Sequence, residues 1–192
     1  MSTIDRSGSA LRLRGLATRI ARRPLDAEVS VPPRFLSLLG IGALAVIAQA
    51  TLLHFVSFRG AHVSLVTVLL VWTGLRCGVV TGGWLGLACG LLEDALGGTG
   101  GNVLSATLVG FGSGLLANRF FSDSLPVFLA AVAGATAIRA ACDYAIFEWV
   151  YGERGLFRTA THAFVWTALM NCAVAAVALL ALRVRAHARM IG

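Results

Sequence analysis

Glycine recurs at every fourth position through one apolar stretch of the chain, and the next step of four reaches a carboxylate. The five positions are Gly78, Gly82, Gly86, Gly90 and Asp94. Residues four apart in an α-helix lie close to one face, so the spacing predicts a flat stripe without side chains. In a membrane, such a stripe lets a second helix backbone approach closely. The pattern therefore predicts a helix that packs tightly against a neighbour and carries a charge at the end of the contact.

The composition around this stripe indicates a membrane protein. Of the 192 residues, 57% are hydrophobic and only 13% are charged, whereas soluble domains usually carry about 25% charged residues. The mean hydropathy is +0.81, and most of the charge lies outside several long apolar runs. We therefore expect an all-α membrane protein, built as one polytopic bundle of six transmembrane helices without a separate soluble domain.

The apolar runs define the predicted spans, which are 35–56, 61–76, 78–96, 102–117, 125–149 and 161–182. A helix that crosses the hydrocarbon core needs about 20 residues, and the second and fourth runs are shorter than this. Five spans plus one re-entrant segment are therefore the alternative arrangement. The predicted domain organisation is a cytoplasmic basic segment at 1–34, a helical bundle at 35–183 and a short basic tail at 184–192.

The arginines predict the orientation in the membrane, because all sixteen basic residues are arginine. With six spans, twelve of them fall on the side of the two termini, three fall on the other side, and Arg139 lies within a span. Cytoplasmic loops carry the excess of positive charge, so both termini are expected in the cytoplasm. A sequence pI near 10.6 is typical of nucleic-acid-binding proteins too, but the positions of the arginines fit membrane topology better, so no nucleic-acid partner is expected.

The basic N-terminal segment contains a pattern of its own. Residues 10–23 place arginines among Leu13, Leu16 and Ile20 at helical spacing, and Pro24 follows. This pattern fits an interfacial helix on anionic lipid, a docking helix for a cytoplasmic partner, or a solvated tail that only enforces the orientation. The solvated tail is the simplest of the three interpretations.

Besides Arg76 at the cytoplasmic end of its span, five charged residues fall within the predicted spans, and charge inside a membrane is costly unless a partner neutralises it. They are Glu93, Asp94, Arg139, Asp143 and Glu148. Arg139 and Asp143 are four apart and can pair along one helix face, while helical rise places Arg139 at a depth similar to that of Asp94. Three interpretations of this cluster are open: a structural ion pair, a polar site for a ligand or proton, or a surface that binds a partner's helix. We favour structural pairing for Arg139 with Asp143, and leave the role of Glu93 and Asp94, including a cross-helix contact with Arg139, open.

A second stripe of small residues follows in the next span, at Ala106, Gly110 and Gly114. Two such stripes on consecutive antiparallel helices predict mutual backbone contact, or a shared face for a third helix. We expect the glycines to pack within the bundle and any partner to bind elsewhere. Gln49 and Asn171 are single polar residues within spans, for which interhelical hydrogen bonds are expected.

Motifs that carry chemistry are missing from the sequence. The histidines and cysteines have no metal-ligand spacing, and no nucleophile lies at a helical offset from a base. The glycine-rich segment after Asp94 lacks the Lys-Ser/Thr of a phosphate-binding loop, so it is predicted to be an external turn. No cofactor, no metal and no enzymatic activity are expected.

Residues 83–121 resemble the MreD family, the small rod-shape-determining membrane proteins of bacteria. The first matching element is a glycine-rich span that ends in Gly90, Leu91 and Asp94. The second is a following span that contains Leu108, Gly110, Phe111 and Gly114. The chain departs from the family pattern in its long basic N-terminal segment and in a turn without the usual Pro-Leu-Gly character.

This resemblance implies a non-catalytic component of the bacterial inner membrane that acts in cell elongation. It would bind MreC and associate with MreB, RodA and a class-B penicillin-binding protein, surrounded by membrane lipid. The resemblance also implies a fold similar to the membrane subunits of energy-coupling-factor vitamin transporters, so the alternative function is a substrate-binding transport subunit. Such a subunit needs a pocket with several convergent polar and aromatic groups, and we expect few of these in the outer half of the bundle.

Overall fold

A computed structural model describes most of the chain from Phe35 onward. The described residues are 35–51, 57–58, 61–97, 100–117, 124–152, 155 and 157–191. All of them belong to one compact unit, which covers 33–192. The predictions for the basic segment at 1–34, including its interfacial or docking helix, lie outside the described residues.

Six helices make up 89% of the described residues, which confirms the predicted all-helical class. They are α1 (Phe35–Thr51), α2 (Leu65–Cys77), α3 (Val79–Ala95), α4 (Asn102–Ala117), α5 (Leu125–Trp149) and α6 (Phe157–Ile191). Between α1 and α2, the short strands β1 (Ser57–Phe58) and β2 (Ala61–His62) pair in antiparallel fashion. The helix within the predicted second span at 61–76 begins only at Leu65, because β2 and the cap of α2 precede it.

The ends of α2 follow from two local residues. Ser64 caps its first turn, because the Ser64 Oγ accepts a hydrogen bond from the Thr67 N–H at 3.3 Å. Gly78 ends α2 and starts α3 with a φ of +88°, a conformation that favours glycine. A Cβ at Gly78 would meet nothing within 4 Å. Gly78, predicted as part of the packing stripe, therefore serves as the joint between two helices.

The other glycines of the stripe bring α3 and α4 into backbone contact. A Cβ added at Gly82 or Gly86 would overlap the backbone oxygen of Gly110 or Ala106, and one added at Gly90 would lie 2.6 Å from the Asn102 oxygen. The contacts therefore pair Gly82 with Gly110, Gly86 with Ala106 and Gly90 with Asn102, so each step of four along α3 corresponds to a step of four back along α4. The two stripes pack against each other in antiparallel register.

The same close approach extends to α2 and to the joint. A Cβ at Gly114 would overlap the backbone of Val79 at the start of α3, and one at Gly74 would overlap the Ser113 side chain of α4. Because a Cβ at Gly74 would also lie 2.9 Å from the Gly110 and Gly114 backbone, α2, α3 and α4 form a tightly packed block. The apolar core lies around this block, where Leu70, Leu85 and Val132 are fully buried.

Two helices are long and apolar enough to cross a membrane, judged by length and composition. They are α5 and the first 25 residues of α6, Phe157–Ala181. The helices α1, α2 and α4 are apolar but shorter. Many large apolar side chains stay exposed on outer faces, for example Leu44 at 67% and Trp84 at 57%, and such a surface suggests association with a membrane.

The glycine contact can be tested with two glycines of α4 that lie two residues apart. Gly110→Ala is expected to lower the free energy of unfolding by about 1–3 kcal/mol, because the added methyl group overpacks a backbone contact. A Cβ at Gly112 meets nothing within 4 Å, so Gly112→Ala is the matched control and should leave stability unchanged or slightly raised. Thermal unfolding of both purified variants in detergent measures the difference. Equal stability of the two would contradict the backbone contact.

Candidate functional site

A buried ion pair joins α3 to α5. The Arg139 Nη2 lies 2.6 Å from the Glu93 Oε2, and the two side chains are only 11% and 8% exposed. Removing two charges from water is costly, and the pair is tolerated only when further hydrogen bonds satisfy the remaining donors and acceptors. The contacts around this pair therefore decide whether it is stable.

The Arg139 guanidinium is surrounded by acceptors from three helices or their caps. Its Nη1 donates to the Thr67 Oγ1 at 3.2 Å and to the Ser64 Oγ at 3.5 Å. Its Nη2 donates to the Asn102 Oδ1 at 2.9 Å, in addition to Glu93. Four contacts thus occupy a group with five N–H donors. Arg139 ties α5 to the start of α2, the end of α3 and the start of α4.

Two amide side chains extend this network to α1 and α6. The Gln49 Nε2 donates to the Glu93 Oε1 at 3.1 Å, and the Gln49 Oε1 accepts from the Val66 N–H at 3.3 Å. The Asn171 Oδ1 accepts from the Ser64 N–H at 2.8 Å, while the Asn171 Nδ2 donates to the Thr136 Oγ1 at 3.1 Å. All six described helices or their caps therefore meet in one hydrogen-bonded network. Gln49 and Asn171 act as the interhelical hydrogen bonders that the sequence predicts.

Asp94 satisfies the start of the next helix. Its Oδ1 accepts from the Gly100 N–H at 3.1 Å, the Asn102 N–H at 3.3 Å and the Asn102 Nδ2 at 2.9 Å, and its Oδ2 accepts from the Val103 N–H at 3.1 Å. The first N–H groups of a helix have no partner within the helix, and a negative charge is favourable beside them. The acid at the end of the glycine stripe is thus the cap of α4.

Asn102 links the two carboxylate systems. Its amide nitrogen donates to Asp94, and its amide oxygen accepts from Arg139. Asp94 therefore reaches Arg139 through one side chain and not by a direct ion pair. The bridging role of Asn102 was not predicted, because an asparagine after two glycines is typical of a turn and does not indicate an interhelical contact.

The other acids of the predicted cluster are placed differently. Within the described residues, the ion pair of Arg139 is formed with Glu93, and no ion pair of 4.0 Å or less joins it to Asp143. The favoured Arg139–Asp143 pair is therefore wrong, because the partners that surround the guanidinium come from other helices. Glu148 lies farther along α5, one helical turn beyond Tyr144, and does not line the cavity described below.

A cavity of about 760 Å³ opens beside the network. Polar, charged and aromatic groups converge on it, including Glu93, Arg139, Asp143, Tyr144, Phe147 and Phe164. The expectation of few such groups in this half of the bundle is wrong. The cavity-facing residues of α5 follow a helical stripe through 136, 139, 140, 143, 144 and 147, and those of α6 follow one through 160, 163, 164, 167 and 171.

Comparison with known proteins provides no relative from which to infer function. No family model matches the chain, and comparisons with curated proteins and with solved structures give no significant match. The resemblance to the MreD family therefore stays a hypothesis that depends on the residues of α3 and α4. The geometry of the network and the cavity provides the remaining evidence on function.

A double-mutant cycle tests the ion pair. Glu93→Gln or Arg139→Gln alone is expected to destabilise the bundle by about 3–5 kcal/mol, because each leaves a buried charge without its partner. The double variant should lose less than the sum of the two, with a coupling of at least about 1 kcal/mol in thermal unfolding. The matched control pairs Asp143→Asn with Arg139→Gln and should show a smaller coupling. Additive effects for Glu93 and Arg139 would show that the pair does not form.

The cap of α4 is tested by Asp94→Asn. The substitution keeps the size of the side chain but removes its charge and half of its acceptors, so we expect a loss of about 1–2 kcal/mol of stability. Hydrogen–deuterium exchange should accelerate at the amides of Gly100, Asn102 and Val103. The Glu148→Gln variant serves as control and should leave these amides protected. Unchanged exchange in Asp94→Asn would remove the capping role.

Proposed function

We propose that the chain is a non-catalytic scaffold of the bacterial inner membrane, of the MreD kind, which binds MreC and links the MreB cytoskeleton to peptidoglycan synthesis. RodA and a class-B penicillin-binding protein complete the proposed complex. The single observation that carries the proposal is the motif formed by Gly90, Leu91 and Asp94 together with Gly110 and Gly114. The proposed location is the inner membrane, with six spans and both termini in the cytoplasm.

Two residues of the motif, Gly90 and Asp94, act together on the start of α4, and this supports the proposal. The absence of a side chain at Gly90 admits the Asn102 backbone oxygen, which a Cβ would meet at 2.6 Å. One turn farther, Asp94 accepts the hydrogen bonds of the first residues of α4. Both residues thus fix the start of α4 against the end of α3. Two motif residues with one shared structural purpose are stronger support than the same residues taken singly.

The surface supports the proposed spans. At the end of α5 the apolar side chains are open, with Trp149 at 83% and Tyr151 at 56% exposure, and Phe157 at 64% follows at the start of α6. Trp and Tyr are enriched where a membrane span meets water. This aromatic group lies on the side that the arginine distribution assigns to the outside. It matches the outer interface of a membrane crossed by α5 and α6.

Helix α2 is too short to cross a membrane by itself. Its 13 residues rise about 20 Å, which is less than the hydrocarbon core of about 30 Å. The preceding Ala61 and Val63 are buried against the bundle at 0% and 7% exposure. Non-helical backbone is tolerated at membrane depth where protein covers it. The second span is therefore proposed to consist of α2 and the buried residues that precede it, with a re-entrant segment as the alternative.

A second function, capture of a small molecule as in energy-coupling-factor transport subunits, is favoured by the cavity. Its volume of about 760 Å³ lies within the range of about 300–1,000 Å³ that is usual for small-molecule sites. Polar and aromatic side chains line it together. The scaffold function does not require such a space. The proposed similarity of fold to those transport subunits is compatible with either function.

Co-purification separates the two functions. We expect the tagged full-length chain, extracted in mild detergent from its own host, to retain MreC as a stoichiometric partner identified by mass spectrometry. A tagged, unrelated inner-membrane protein of similar size is the control for non-specific capture. Recovery of an ATPase pair together with a bound small molecule, without MreC, would overturn the scaffold proposal and establish the second function.

A further inference from the structure

The cavity carries an inference about its ligand that is independent of the scaffold function. Its wall contains an ion pair that is already complete, because Glu93 and Arg139 neutralise each other at 2.6 Å. The remaining contacts of the guanidinium go to Ser64, Thr67 and Asn102. Four of the five N–H donors of an arginine are thereby used. An anionic ligand would find no unoccupied cation in this part of the described wall.

Asp143 is the charge that remains. Its carboxylate lines the cavity and is only partly buried, and none of the described residues forms a hydrogen bond or ion pair with it within the distances of such contacts. Among the carboxylates and the arginine of the described wall, Glu93, Arg139 and Asp143 together leave one negative charge in excess. A carboxylate in a partly desolvated site is stabilised by a cation that enters beside it.

The neighbours of Asp143 indicate what kind of cation fits. Tyr144, Phe147 and Phe164 line the same cavity, and the Tyr144 ring is held edge-on to Phe157 at a centroid distance of 5.9 Å. Aromatic faces attract a cation within about 6 Å of the ring centroid. The described residues include no group of three or more His, Cys, Asp or Glu that could hold a metal ion. These features favour an organic cation over an inorganic one.

We propose that this cavity binds a small organic monocation, an amine that carries an apolar or aromatic group, with its charge beside Asp143 and its apolar part among the aromatic rings. The cavity lies at the end of the bundle where α1 and α3 end and α2 and α4 begin. By the arginine distribution this end faces the outside, so the ligand enters from the outer aqueous phase. Under the scaffold function the cation is a regulator of the complex, and under the transport function it belongs to the substrate class.

Binding of three probes to the full-length chain tests this proposal. The chain is reconstituted in nanodiscs of phosphatidylcholine and kept in potassium phosphate, because Tris is itself an organic amine. The probes share a phenylethyl group and differ in charge: 2-phenylethylammonium, neutral 2-phenylethanol and anionic 3-phenylpropanoate. We expect a saturable rise in the thermal unfolding midpoint with the ammonium probe only. Empty nanodiscs titrated by calorimetry correct for partition into lipid.

Two variants connect the binding to the cavity. Asp143→Asn should weaken the ammonium probe about tenfold or more, since it removes the excess negative charge of the described wall. Phe147→Leu keeps an apolar side chain but removes a ring and should weaken the probe about three- to tenfold. Glu148→Gln is the matched control, because it removes one carboxylate charge from the same helix at a residue that does not line the cavity.

The outcomes separate cleanly from those of the scaffold proposal, because that proposal depends on co-purification with MreC and not on ligand binding. Saturable binding of the ammonium probe that is lost in Asp143→Asn and kept in Glu148→Gln supports the cation site. The proposal is overturned if no probe saturates, if the anion or the alcohol binds as well as the amine, or if Asp143→Asn binds unchanged. Should Asp143→Asn fail to fold, unchanged affinity in Phe147→Leu overturns it as well.

Discussion

A cation buried among apolar helices imposes the strongest constraint on this structure. Arg139 can remain charged only if acceptors surround it, and those acceptors come from the cap of α2, from Glu93 on α3 and from Asn102 on α4. Each acceptor must therefore reach a common point in space. Gln49 and Asn171 bring α1 and α6 to the same point. The network thus links all six described helices or their caps at one point of the bundle.

The glycine stripes supply what the charged network requires. Close contact of the α3 and α4 backbones places the last turn of α3 beside the first turn of α4, so that Asp94 reaches the free N–H groups of Asn102 and Val103. The side chain of Asn102 is then oriented toward Arg139. Backbone packing and polar pairing therefore depend on each other. The stripe and its terminal acid, which are adjacent in sequence, act as one unit that joins two helices.

The sequence predicted those parts of the fold that depend on local pattern. The bounds of α4 and α5 agree with the predicted runs at 102–117 and 125–149, because glycines, a serine and Pro126 mark their starts. The pairing of β1 with β2 could not be predicted, since two-residue strands have no periodicity that a sequence pattern could reveal. The partner of Arg139 was also beyond local pattern. Asp143 and Glu93 were both candidates, and the three-dimensional fold brings the Glu93 carboxylate to the guanidinium.

The cavity was invisible in the sequence for a related reason. No single residue of a sequence indicates an empty space. Small side chains of α5 and α6, such as Ala140, Ala160 and Ala163, line the cavity here. The polar groups on its wall lie far apart along the chain, from Gln49 to Asn171. Only the folded structure shows that these polar groups line the same cavity.

The contact between Gly82 and Gly110 limits how this sequence can vary over evolutionary time. When two side chains touch in a core, a larger residue on one side is often accommodated by a smaller one on the other. Both members of this pair are already glycine, and the atom that each would strike is a backbone oxygen of the other helix. No substitution at either position can make room for growth at the other. Sequence drift in this bundle is therefore expected to run through its outward apolar faces, while the two stripes remain fixed as long as α3 and α4 stay in contact.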